Sequence, residues 1–396
     1  MILNNRLLSP KTNRNRIIIY YLTYSIPLVL LFDWLFTLEF IPFPLGVLFK
    51  GITIVFNFNL FLTKRKKVGK FNFGKIISFF LLINIIYALF SDNIIQNLYL
   101  SIRILYWVST TISVFYLLKN NLINVKYLKF IFVATSIIGS FFTIYLMSIS
   151  VKHQNASAYL LLWCFPVLLL FKQTSLIRLV QVLAIISIVL TIKRGAIVAL
   201  LISVIAYIVA YIYIERRVGQ KMKILFVGFV FLFSSFVVIF NNQNKFSERL
   251  EDKTGSGRDI VYGALVDKYL SSDIDNLIFG YGFKGVEKYI GFFLSGNNEK
   301  SGPAAHSDWL QYMFDFGFFG ILVMLLLHAY IISLLRINFK LRTKLFPIIL
   351  MFYVIFFLTT IYSFILNVPD AIFFGITASI FAVESDRYKR NYYNYR

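Results

Sequence analysis

One cysteine and three histidines are all that this 396-residue chain offers as thiolate or imidazole metal ligands. The lone Cys164, set in an apolar run, excludes a disulfide framework and a cysteine-based zinc site. Histidines paired at helical spacing and a P-loop are both missing. The expected chemistry is therefore metal-independent, with no nucleotide and no other cofactor. Charge is scarce too, at 15% of residues against 59% hydrophobic, and the mean hydropathy is +0.74. No soluble interior hides that much apolar surface, so the chain is expected to be solvated by lipid. The opening MILNNRLLSPKTNRNR is basic, but no small-residue cleavage site follows the first apolar run. Residues 1–16 are thus expected to be the cytoplasmic tail of a retained span.

What the sequence has in abundance is apolar runs. A span takes about 20 residues at 1.5 Å of rise each, and about twelve runs fit that length. They cover 17–36, 43–62, 74–90, 94–118, 127–149, 157–171, 176–192, 195–214, 223–240, 309–335, 345–366 and 370–384. The basic clusters alternate with them: Arg6 to Arg16, Lys64 to Lys75, Lys119 and Lys126, Lys172, Arg216 to Lys223, Arg336 to Lys344, and Arg387 to Arg396. All fall on one side, which the positive-inside rule makes the cytoplasm. The net charge of +22 is then an orientation signal and calls for no nucleic acid. The expected product is an all-α, multi-pass protein with both termini cytoplasmic. Its parts are tail 1–16, nine spans over 17–240, an extracytoplasmic loop over 241–308, three spans over 309–384, and tail 385–396.

That loop holds ten of the eighteen carboxylates and carries structure signals of its own. SGRDIVYGALVDKYL has apolar residues at helical spacing, and IFGYGFKGV is a glycine-punctuated turn in which backbone approaches a ligand closely. So organised a loop is expected to be functional. Among single residues, Arg194 is the first candidate. With Lys193 it interrupts the apolar sequence IVLTIKRGAIVAL at an extracytoplasmic turn, where the topology supplies no reason for a cation. Snorkelling toward lipid phosphate is its bland alternative. Arg258 opens the loop helix against the dipole. His306 stands just outside the span at 309–335, where an imidazole can move a proton; a solvated surface histidine is the alternative. His328 lies mid-span and is expected to be structural. Lys50 and Arg103 inside apolar runs, Asp33 and Glu39 beside the first external loop, and His153 are further suspects.

In order along the chain these pieces resemble the O-antigen ligase and polysaccharide polymerase family. HQNASAYLLL (153–162) is similar to that family's asparagine-containing segment, and IKRGAIVAL (192–200) to its serine–arginine–glycine turn. RDIVYGAL (258–265) with FGYGF (279–283) resembles its arginine helix and glycine turn. HSDWLQYMFDFGFFG (306–320) resembles its histidine element, followed by an acidic residue and glycines. The resemblance covers roughly 150–335. Lys193 stands where the family usually has serine, and Asp315 where glutamate is commoner.

The resemblance implies a fold related to the lipid-linked (GT-C type) glycosyltransferases, in the bacterial inner membrane. It implies a donor oligosaccharide on undecaprenyl pyrophosphate and a glycan acceptor, with a chain-length regulator and a flippase as further partners. Arg194 and Arg258 would hold the pyrophosphate, and His306 would accept the acceptor's proton. Lys193, Asn155, Gly280, Gly282 and Asp315 would complete the binding site. Polymerase is the favoured activity and O-antigen ligase, acting on lipid A core, its alternative. A transporter or flippase, which Lys50 and Arg103 keep in play, and a non-catalytic receptor are the readings from other classes.

Overall fold

In a computed structural model the described residues are 13–38, 40, 44–68, 71–91, 94–148, 156–191, 193–226, 228, 258–295, 302, 304–362 and 371–394. For Arg194 and Arg258 this covers the backbone and not the side chain. Asn155, His153, Glu39, the loop's first residues 241–257 and most of the expected span at 223–240 lie outside the described residues.

Among the described residues the regular elements are helices, and no strand occurs. Eight of them alternate through the first half: α1 (Asn13–Thr37), α2 (Leu45–Val68), α3 (Asn72–Leu89), α4 (Ile94–Lys119), α5 (Val125–Ser148), α6 (Ala156–Leu170), α7 (Ser175–Leu190) and α8 (Arg194–Ile214). Three shorter helices follow in the loop: α9 (Arg258–Leu270), α10 (Ile274–Phe279) and α11 (Gly285–Ser295). The chain returns to the bundle as α12 (Asp308–Lys340), α13 (Phe346–Tyr362) and α14 (Ala371–Asn394). Six helices are long and apolar enough to cross a membrane, and four more are apolar but shorter. The chain is an all-helical, multi-pass membrane protein. Helix α14 runs on to Asn394, well past the expected boundary at 384, so most of the last tail extends a span.

The bundle is organised around α6. From Ala158 to Leu168 its residues are buried on every side, as expected of a helix apolar all round. Helices α5, α7, α13 and α14 pack on it, and Trp163 meets Phe352, Phe356 and Phe374 edge-on or tilted. Polar side chains stitch neighbours where apolar ones would offer only dispersion. Asn57 of α2 donates to Thr110 of α4 at 3.1 Å, and Asn338 of α12 donates to Ser385 of α14 at 2.7 Å. Such bonds replace unpaired groups that lipid cannot solvate. Lys50 of α2 pairs with Asp33 of α1 at 2.6 Å, with little exposure of either side chain. The two suspects inside the first apolar runs are thus each other's counter-charge.

The loop helices have a core of their own. Leu265 and Tyr269 of α9 and Val286 and Ile290 of α11 sit four apart on their helices and meet Ala305 and Phe314. The Tyr269 hydroxyl donates to the Leu277 carbonyl at 2.7 Å, and burial pushes its phenol above the ordinary value.

Candidate functional site

The span expected at 309–335 is not one straight crossing. Thirty-three residues would reach about 50 Å, against about 30 Å of hydrocarbon. The helix instead breaks at Gly317, at φ 58° and ψ −138°. Contacts along helix α3 give the direction of each arm. Phe73 stacks on Tyr330, Phe80 meets Tyr312 edge-on, and Tyr87 meets Phe316 edge-on. A straight α12 would present 312, 316 and 330 in that order. The observed order puts 312 between the other two, so residues 308–316 run back alongside the rest of α12. Two further contacts agree. Trp309 stacks on His328 with ring centroids 5.2 Å apart, where a straight helix would part them by about 28 Å. A Cβ at Gly320 would collide with the Tyr312 carbonyl. The apolar run is a helical hairpin with Gly317 at its tip.

Gly317 is required there for two reasons. A residue with a Cβ rarely adopts its backbone angles, and a Cβ would lie 2.6 Å from both the Gly280 nitrogen and the Ile278 carbonyl oxygen. Gly280, at φ 73°, is its reciprocal: a Cβ there would lie 2.5 Å from the Asp315 oxygen and the Gly317 nitrogen. The glycine turn approaches the hairpin tip at backbone distance. It also ends the short arm properly. The N–H groups of Tyr281 and Gly282 donate to the carbonyls of Phe314 and Asp315 at 2.8 and 3.0 Å. These are two of the acceptors that a helix leaves open at its C-terminus.

At the other end of the short arm stands His306, half-buried and at φ 54°. Left-handed backbone is uncommon for any residue but glycine and is retained where neighbours over-determine it. Neighbours do so on three consecutive residues. The Ala305 N–H donates to Gln311 Oε1 at 3.0 Å, and the Tyr262 hydroxyl donates to the His306 carbonyl at 3.2 Å. The Ser307 hydroxyl donates to the Thr360 carbonyl at 3.4 Å and accepts from the Leu310 N–H as the helix N-cap. Tyr262 lies one turn from Arg258, so the helix that Arg258 opens is tied directly to the histidine.

Arg194 reaches the same end of the bundle by another route. Phe339 stacks on Tyr213 near the end of α8 and packs on Phe346 at the start of α13. Helix α8 lies along α13, so the two are antiparallel. From Phe346 to Thr360 the rise is about 21 Å, and from Tyr213 back to Arg194 about 28 Å. Arg194 therefore begins α8 roughly 7 Å beyond the level at which Ser307 bonds Thr360. Lys193, half-buried, is the N-cap residue, and its N–H donates to Thr191 Oγ1 at 3.3 Å.

Asp315 is buried, with Oδ1 accepting from the Val286 N–H at 3.0 Å and Oδ2 accepting from Gln311 Nε2 at 2.8 Å. Gln311 Nε2 also donates to Glu287 at 3.0 Å. The structure thus brings Gly280, Gly282 and Asp315 together and turns them toward the hairpin. His306 and the backbone starts of α8 and α9 share one end of the bundle.

Two residues escaped the sequence reading. Gln311 is almost fully buried in the hinge between histidine, α11 and hairpin, and Asp308 is fully buried in the first turn of the short arm, two residues from His306. A signal for Asp308 was present: a carboxylate at the head of an apolar run, where the helix dipole favours an anion. Gln311 had none, since its partners are distant in sequence. His328, expected to bond a neighbouring helix, sits among aromatic rings. It stacks on Trp309 and lies 4.4 Å from the Phe356 centroid, and its Nε2 lacks a hydrogen-bond partner among the described residues.

No curated protein matches the chain. Residues 179–325, which hold Arg194, Arg258, the glycine turn, His306 and Asp315 but not Asn155, match the family model described as O-antigen ligase, a likeness consistent with the O-antigen ligase/polymerase family.

Proposed function

We propose that the protein transfers a glycan from undecaprenyl pyrophosphate to a hydroxyl of a second lipid-linked glycan, on the extracytoplasmic side of the bacterial inner membrane. One observation carries this reading: a histidine held in strained backbone at the bundle end where two arginines each open a helix. Helix N-termini favour anions, and forked guanidinium donors match phosphate oxygens. Arg194 and Arg258 hold the pyrophosphate. His306 accepts the proton of the attacking hydroxyl, whose oxygen bonds the anomeric carbon as the bond to pyrophosphate breaks. The leaving charge passes to the arginines, and a single displacement inverts the anomeric centre. Lys193 adds positive charge at the same turn. Gly280, Gly282 and Asp315, whose polar groups already serve the hairpin, support the site from the hairpin tip. The chain-length regulator and flippase act upstream or beside it.

A second reading takes lipid A core as the acceptor, which makes the protein a ligase, and the family description fits it equally. One experiment separates the two. Protein in detergent is given the host's lipid-linked repeat unit, with or without lipid A core. A ladder of oligomers from donor alone marks a polymerase; donor consumed only when core is added marks a ligase. Donor left intact in both, by folded protein, sinks the transfer reading.

A further inference from the structure

Gln311 occupies an unusual position for an uncharged side chain in a membrane bundle. It is 1% exposed, and its amide is used at both ends. Oε1 accepts the Ala305 N–H at 3.0 Å, and Nε2 divides its donors between Glu287 at 3.0 Å and Asp315 at 2.8 Å. One amide therefore joins the residue before His306, the start of α11 and the hairpin arm. Asp315 passes the connection on, since its other oxygen accepts from Val286. The polarity is forced. Two carboxylates face the nitrogen and a backbone N–H faces the oxygen, so neither a carboxylate nor an apolar side chain of the same size satisfies all partners.

We propose that Gln311 is a positioning residue for His306: it sets the left-handed backbone that aims the imidazole, using the Glu287 and Asp315 carboxylates as its anchor. The assignment rests on the transfer reading above for its effect on rate, and on geometry alone for its effect on His306. A loose amide would leave the Ala305 N–H buried without an acceptor and free the histidine to relax toward ordinary backbone. A displacement of about 1 Å at a reacting group costs on the order of 100-fold in rate.

The test compares wild type with Gln311→Leu, Gln311→Glu and the swap Gln311→Glu/Asp315→Asn. In the swap, the carboxylate introduced at position 311 still accepts from the Ala305 N–H. The amide introduced at position 315 donates to that carboxylate and accepts from the Val286 N–H, while the half-exposed Glu287 turns to water. Two readouts are taken on full-length protein. Steady-state transfer of the host's lipid-linked repeat unit is expected to fall about 10- to 100-fold in kcat for Gln311→Leu and Gln311→Glu, with donor KM nearly unchanged. Carbethoxylation of His306, followed by mass spectrometry, is expected to change severalfold in both single variants and return in the swap. Unchanged kcat and unchanged His306 reactivity in a folded single variant overturn the proposal. So does a swap in which His306 reactivity stays as altered as in Gln311→Glu, the comparison that decides if Gln311→Leu does not fold. Should wild type transfer nothing, the transfer reading falls, and the His306 reactivity series still decides whether Gln311 positions the histidine.

Discussion

Two of the clusters that bury charge among the described residues are built differently. In the first, Lys50 of α2 meets Asp33 of α1 at 2.6 Å, side chain to side chain between two spans. In the second, Gln311, Asp315 and Glu287 are joined to the backbone of Ala305 and Val286. The first fastens helices whose geometry is regular without it. The second fixes irregular backbone: a left-handed histidine, a glycine turn and a hairpin tip, none of which a helix or a lipid would hold in place. Buried charge in a membrane is by default a functional suspect. Its value as a suspect depends on what it holds, and of these two only the second holds strained backbone, beside the histidine proposed to accept a proton.

The sharpest way to break the comparison is through the histidine itself. His306→Ala should lower transfer by about 10²–10⁴-fold, as expected for loss of a general base, while leaving the thermal midpoint near wild type. A matching fall in stability would place His306 with the structural cluster. The ion pair should behave in the opposite way. Lys50→Met leaves Asp33 buried without this cation and should cost about 3–5 kcal/mol, whereas Lys50→Met with Asp33→Asn should recover most of it. Denaturant-dependent unfolding of both proteins checks this, and a double variant with stability intact but transfer abolished would move the pair into the site.

Gly317→Ala comes next. The alanine must adopt a glycine conformation and meet Gly280 at backbone distance, at about 1–3 kcal/mol for the strain alone. Lowered thermal stability together with lost transfer is expected, and a variant with wild-type behaviour would show that the hairpin tip is dispensable. Tyr262→Phe should be the mildest. It removes one bond to the His306 carbonyl, worth about 0.5–1.5 kcal/mol, and should lower kcat no more than about tenfold without raising donor KM. A rise in KM alone would mean that Tyr262 serves the donor.

Span positions were legible because lipid imposes a length and a polarity on every crossing. Helices α3 to α8 begin and end within a few residues of the apolar runs that announce them. The loop helix was legible for a similar reason, since Leu265 and Tyr269 repeat at the spacing that builds its core. The hairpin was not. Residues 309–335 are apolar on both sides of Gly317, and a hydropathy pattern carries no direction. What reverses the chain there is Gly280, nearly forty residues earlier, meeting Gly317 at backbone distance.

The sequence by itself determined that the chain is a helical membrane protein and where most of its spans lie. It also picked out Arg194 as a cation without a topological reason to be where it is, and Arg258 and His306 as candidates on other grounds. The physical basis is local: burial in lipid is decided by composition over about 20 residues. Only the tertiary structure decided that α12 folds back on itself, that Lys50 and Asp33 answer each other, and that Gln311 and Tyr262 hold the histidine. Each of those depends on partners distant in the chain, and a hydrogen bond or a backbone contact is specified by geometry that no single segment contains.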